Sequence, residues 1–232
     1  MGNWGYIMTN KLIWLGAFIL LLIMASFVSD KKKKVVFFGD SITQAGVSPK
    51  GYITVMDNML KQQGINNYEL IGAGIGGNKV YDLYLRMEED VLSKSPDVVV
   101  IYVGVNDVWH KSMFGTGTDA DKFEKFYRAI IKKLQAANAK VVLVTPAAIG
   151  EKTDFSNSQD GELNKFCNII RNIAKDLQLP LVDLRQQLLD YNKEHNPQNL
   201  DKGILTVDGV HLSDTGNEFV AKAMWEKIKD VK

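Results

Sequence analysis

Apolar residues are distributed along this chain in two patterns, with an abrupt change between them. Residues 12–28 read Leu-Ile-Trp-Leu-Gly-Ala-Phe-Ile-Leu-Leu-Leu-Ile-Met-Ala-Ser-Phe-Val, a 17-residue run with no charge and no polar face. From Val35 onward, short β-branched or apolar runs alternate with longer stretches of helical period. The short runs predict strands at 35–38, 69–71, 98–103, 141–145 and 181–184. The longer stretches predict helices near 52–63, 80–92, 121–137, 163–177 and 215–229. In the last of these, Phe219, Val220, Ala223, Met224 and Ile228 share a face. Thr215 with Glu218 offers a capping-box start for it.

Strands alternating with helices imply a parallel sheet, because right-handed crossovers lay the helices over both of its faces. Runs such as Val98-Val99-Val100-Ile101, apolar at every position, suit burial between two helical layers. Residues 35–232 contain no repeat, low-complexity tract or Pro-rich linker, so they are expected to form one α/β domain.

The front run is shorter than the roughly 20 residues of a membrane-spanning helix and longer than a minimal signal core. Residues 1–34 are therefore expected to be a signal peptide or an uncleaved anchor, placing the protein outside the cytoplasm or on a membrane. Lys11 supplies a weak positive flank, and Met8 is an alternative start to Met1. Small residues at Ala25 and Ser26 mark a cleavage site poorly. The run Lys31 to Lys34 opposes easy export and reads as a solvated or headgroup-facing flank.

Composition narrows the chemistry. With 28 Lys+Arg against 27 Asp+Glu in 232 residues, the net charge of +1 offers no basic field for nucleic acid. A single Cys excludes an internal disulfide framework and a Cys-rich zinc module. Three scattered His and no His-Glu-x-x-His give no metal site, and no cofactor is called for.

In an open parallel sheet, ligands bind beyond the carboxyl ends of the strands. The segments found there are Gly39-Asp40-Ser41-Ile42, the glycine-rich stretch 72–78, and Gly104-Val105-Asn106-Asp107, with Asp208-Gly209-Val210-His211 before the last helix. These parts complement one another. A serine hydroxyl needs a base to take its proton as it attacks, and His211 can be that base. Asp208 can hold the imidazole and stabilise the imidazolium that forms. An attacked carbonyl becomes an oxyanion that needs donors already aimed at it. The backbone N–H groups of Ser41 and Gly77 and the amide of Asn106 supply three, and a side chain at position 77 would obstruct the oxyanion.

Gly72-x-Gly74-x-x-Gly77 also matches the dinucleotide fingerprint. That reading fails at its next requirement. The expected acid would end the following strand, whereas Asp97 begins it. The Gly-x-Ser-x-Gly elbow is absent, since Ile42 and Thr43 follow Ser41. Cys167 reads as core packing, and His110 and His195 as surface loop residues, with His110 and Trp109 candidates for lining a pocket. Loops at 108–120 and 147–161 are expected to border that pocket, neither being long or apolar enough for a large lipase lid.

The four segments, in this order and spacing, resemble the SGNH (GDSL-type) hydrolases, and the resemblance covers essentially all of 35–232. It implies a flavodoxin-like three-layer α/β/α fold with strand order 2-1-3-4-5. Ser41 would be the nucleophile, Gly77 and Asn106 oxyanion donors, and Asp208 and His211 the remaining catalytic pair. Ile42 stands where the family name has Leu, and the stretch around Gly72–Gly74 lacks an Asn that many members carry. The implied activity is hydrolysis of a carboxylic ester through an acyl-enzyme, without metal or cofactor. The expected substrate is a small ester, such as an acetyl group on a carbohydrate. Rival readings are a lysophospholipase or thioesterase for longer chains, and a non-catalytic carbohydrate-binding domain on the same fold.

Overall fold

Four fully buried residues in a row, Val35, Val36, Phe37 and Phe38, form the heart of strand β1 (Lys33–Gly39). A strand apolar on both faces needs a cover on each side. The computed structural model describes residues 31–231, and from Lys33 onward these form one compact unit. After β1 the chain runs through α1 (Ser41–Ala45), α2 (Tyr52–Gln62), β2 (Tyr68–Gly74), α3 (Val80–Asp90) and a short 3₁₀ turn to β3 (Val98–Tyr102). It continues through α4 (Val105–Phe114), α5 (Ala120–Ala136), β4 (Lys140–Val144), α6 (Asp160–Asp176), β5 (Leu181–Val182), α7 (Leu184–His195) and α8 (Asp214–Ile228). The five strands are all parallel, in the order β2-β1-β3-β4-β5. Helix α2 packs with α8, while α3, α5 and α6 pack in succession, giving the two helical layers of a three-layer α/β/α sandwich. Both the fold class and the strand order expected from the sequence are the ones observed.

This order positions the site. The chain leaves β1 for β2 on one side, then crosses back to β3 on the other, so the ends of β1, β2 and β3 adjoin at the switch point. Their register brings them level, with Gly39 opposite both Gly74 of β2 and Tyr102 of β3. Such tightness needs glycine. A Cβ on Gly74 would lie 2.1 Å from the Gln44 backbone nitrogen, leaving no space for any side chain.

Several boundaries differ from the sequence expectation. Helix α8 is capped by Ser213, whose hydroxyl accepts from Gly216 N, and not by Thr215 with Glu218. Strand β5 stops at Val182 because Asp183 turns the chain into α7, its carboxylate accepting from Gln186 N. Half of the lysine run belongs to the domain: Lys33 and Lys34 open β1, and Lys34 N donates to Asp97 Oδ2 at 2.7 Å. Of the predicted signal or anchor, residues 1–34, positions 1–30 lie outside the described residues. No helix among the described residues is long and apolar enough to cross a membrane.

Candidate active site

Ser41 is the first residue of α1, immediately after β1. Asp40 caps that helix, its Oδ1 accepting from Ile42 N at 3.0 Å. Across 170 positions of sequence, Ser41 Oγ lies 2.9 Å from His211 Nε2. The other ring nitrogen, Nδ1, lies 2.7 Å from Asp208 Oδ2. A carboxylate only accepts, so Nδ1 carries the proton in the neutral ring and Nε2 accepts from the serine hydroxyl. Asp208 Oδ1 meanwhile accepts from Val210 N at 2.9 Å and His211 N at 2.7 Å. The loop is closed by the Thr206–Leu212 bridge and by Gly209 N donating to the Thr206 hydroxyl. Ring, carboxylate and backbone are thereby locked into one unit.

The glycine-rich segment after β2 and the first turn of α4 carry backbone and amide N–H groups at this end of the sheet. Neither the N–H of Ser41 nor that of Gly77 has a backbone acceptor among the described residues. Gly77 has φ +76°, and a Cβ there would meet nothing closer than His110 Cε1 at 3.7 Å. The glycine is thus required by its left-handed backbone, and no neighbour forbids a side chain. Gly76 N donates to Gln44 Oε1 at 2.8 Å, pinning the same turn to α1. Asn106 is buried in the first turn of α4, and one N–H of its amide donates to Asn78 O at 3.1 Å. An amide has two N–H donors, so one remains.

The family model described as GDSL-like lipase/acylhydrolase matches residues 37–219. The chain belongs to this family. It is a carboxylic ester hydrolase. A solved acetyl xylan esterase, AlAXEase, is 67% identical, with TM-score 0.82, covering 83% of this chain and 98% of that one. An acetylxylan esterase of Geobacillus stearothermophilus is 28% identical over 84% of this chain and 94% of its own length. Solved structures of that enzyme include a serine-to-alanine and a histidine-to-alanine variant, each described as a catalytic mutant. The uncharacterized lipoprotein YqeF of Bacillus subtilis is 26% identical over 92% of this chain and 95% of its length.

In this GDSL-family site, burial and charge pull the acids apart. Partial burial works to raise the Asp208 carboxyl, but bonds from the His211 ring and backbone outweigh it, and the group lies below the usual carboxylate range. Full burial beneath the serine pushes Asp40 up to about 7, with Asp107 adding repulsion and the Ile42 N–H opposing. Burial likewise pushes Asp107 up to about 6, against the Val80 N–H and the nearby Lys79 charge. His110 is held below its ordinary value by partial burial and by Lys79.

Ser41, Asp208 and His211 are brought together; Gly77 follows Gly76, where a Cβ would lie 3.9 Å from Ser41 Cβ, and Asn106 is tied to Asn78, the residue after Gly77. Of the two pocket candidates, the Trp109 ring centroid lies 6.2 Å from that of His211, and His110 borders Gly77. Neither His110 nor His195 is a loop residue. His110 is half-buried on α4, and His195 ends α7 stacked on Tyr191 at 3.9 Å. The expected loop at 108–120 is helix α4 as far as Phe114. Cys167 is buried, and burial pushes its thiol up to about 12, in keeping with a packing role.

Sequence reasoning passed over Arg86 and Asn78. The Arg86 guanidinium donates to Gly39 O at 2.7 Å, Ala73 O at 3.1 Å and Asn78 Oδ1 at 2.6 Å. It ties the ends of β1 and β2 to the residue whose carbonyl holds Asn106. No local motif marks an arginine on a helix for this task, although Asn78, directly after the glycine run, carried a positional hint.

Proposed function

We propose that this GDSL-family hydrolase removes acetyl groups from carbohydrate esters through an acyl-enzyme on Ser41. The observation that carries the reading is the continuous chain of contacts from Ser41 Oγ to His211, 2.9 Å, and from His211 to Asp208, 2.7 Å. His211 takes the serine proton as Oγ attacks the ester carbonyl. The resulting oxyanion receives the N–H groups of Ser41 and Gly77 and the second amide N–H of Asn106. Collapse expels the sugar alcohol, which takes its proton from His211. Water, deprotonated by His211, then attacks the acetyl-serine and releases acetate. The acetyl and sugar parts of the reading are supported by the acetylxylan esterases among the relatives.

The front segment, residues 1–34, is proposed to export this catalytic domain, 35–232, or to anchor it. Its support is the uncharged run at 12–28, together with a relative named as a lipoprotein.

Ser41→Ala tests the chemistry. Turnover of p-nitrophenyl acetate and labelling by a fluorophosphonate probe are both expected to vanish, with the melting temperature retained. In the wild type, rates are expected to fall from acetyl to octanoyl esters. Retained hydrolysis in the variant would sink the acyl-enzyme. A preference for octanoyl or lysophospholipid substrates would sink the acetyl reading.

A further inference from the structure

Beside Asp208, loops 146–159 and 196–213 together with Trp109 line an open cavity of about 350 Å³. Trp109, Lys152, Asn157, Asp201, Asp208 and Gly209 contribute to its lining. We propose that this cavity is a preformed subsite for the alcohol part of the substrate, a neutral sugar unit resting on Trp109. The inference deepens the carbohydrate-ester reading above and rests on it.

Position is the first argument. The departing oxygen takes its proton from His211, so the group bearing that oxygen must emerge on the His211 side. The cavity shares Asp208 with the catalytic arm, and Trp109 bridges the two. Chemistry is the second. An acyl chain is best served by aliphatic side chains alone, whereas here Ile149 and Val210 are outnumbered by one indole, the Lys152 cation, the Asp201 and Asp208 carboxylates, the Asn157 amide and two serines. A pyranose offers the complement, with C–H faces for the ring and hydroxyls for donors and acceptors. Among the described residues, neither the Lys152 ammonium nor the Asp201 carboxylate has an ion-pair or side-chain hydrogen-bond partner. With one cation and two carboxylates among its lining residues, the cavity favours a neutral polyol over an anion.

Construction is the third argument. Two irregular loops are sewn together under the cavity by buried polar groups. The Glu151 carboxylate accepts from the N–H groups of Ile204, Leu205 and Thr206 at 2.7–3.0 Å. Its own N–H donates to Asp201 O, and Gly150 N to Gly209 O. Asn157 Nδ2 donates to both Lys152 O and Asp160 Oδ2 at 2.9 Å, and Asp160 is paired at 2.6 Å with buried Arg185. Burying this many charged groups is costly unless each is satisfied, and here it fixes the cavity before any ligand arrives.

The test compares wild type with Lys152→Ala/Asp201→Ala and with Trp109→Leu. The readout is kcat/KM on acetylated xylotriose divided by kcat/KM on p-nitrophenyl acetate. Each variant is expected to lower this ratio about tenfold or more, chiefly through KM on the sugar ester. An unchanged ratio would overturn the subsite, as would a variant that alters acyl-chain preference instead. A second arm is independent of turnover: saturation-transfer NMR of unacetylated xylotriose with Ser41→Ala. Ring-proton signals are expected, and are expected to disappear when Lys152→Ala/Asp201→Ala is added; their absence in Ser41→Ala would overturn the subsite. A wild type active on p-nitrophenyl acetate but inert on acetylated xylotriose would end the carbohydrate-ester reading, leaving the NMR arm to judge the cavity.

Discussion

Asp40 carries a conflict between place and charge. It must precede Ser41 to cap α1, yet that position is fully buried, and its carboxyl rises from an ordinary 3.8 to about 7. The folded state therefore binds the proton more tightly than the unfolded chain. Stability from this group is complete below about pH 4 and is lost as pH rises toward 7. Asp40→Asn retains an oxygen for the Ile42 N–H and removes the ionisation, which also relieves Asp107. Melting temperatures measured at pH 5 and pH 8 are expected to fall a few °C less in the variant than in wild type. Parallel falls would show that Asp40 does not titrate in this window. The residues to which we assign chemical roles stood out in the sequence. A serine and an asparagine just past strand ends, joined by a late aspartate and histidine, fit the single chemistry of an activated nucleophile with oxyanion donors. What escaped was the left-handed backbone of Gly77, a matter of backbone angle that no side-chain pattern reveals.

At the scale of elements, the site is a junction of three strand ends held by a helix. Arg86 on α3 bonds to Gly39 of β1, Ala73 of β2 and the Asn78 side chain, with its guanidinium 4.7 Å over the Phe38 ring. Arg86→Met keeps the apolar stem and loses the tie. A misplacement of about 1 Å near reacting atoms costs on the order of a hundredfold. The variant is accordingly expected to lose about 10- to 100-fold in kcat on p-nitrophenyl acetate, with KM little changed. An unaltered kcat would reduce Arg86 to a structural brace. Elements were legible where burial followed a period and illegible where function broke it. In α4 the first four residues, Val105, Asn106, Asp107 and Val108, are all buried because they plug the site, so no helical stripe is visible. Helix α7 hides for the converse reason: it buries Arg185 and Asn192, polar residues that a hydrophobic count scores as exposed.

For the whole molecule, the front segment is proposed to set where the chemistry takes place. Expressed in full, the protein is expected outside the cytoplasm, shortened near Ala25–Ser26 if cleaved, or full-length in the membrane fraction if retained. Recovery of the intact chain as a soluble cytoplasmic protein would refute both routes.

Local order and chemical vocabulary were the sequence's own contribution. Alternating runs specify a parallel α/β sheet because strands apolar at every position are stable only between two layers. The motifs after the strands supply the residues to which the proposed chemistry is assigned. Distances belong to tertiary structure alone. Ser41 and His211 meet over 170 intervening steps because the crossover from β2 to β3 and the Asp208 loop converge at one switch point. Arg86, Asn78 and Glu151 acquire meaning only there, since a buried polar group takes its role from the partners that satisfy it. Those partners are set by packing and cannot be read from neighbours in sequence.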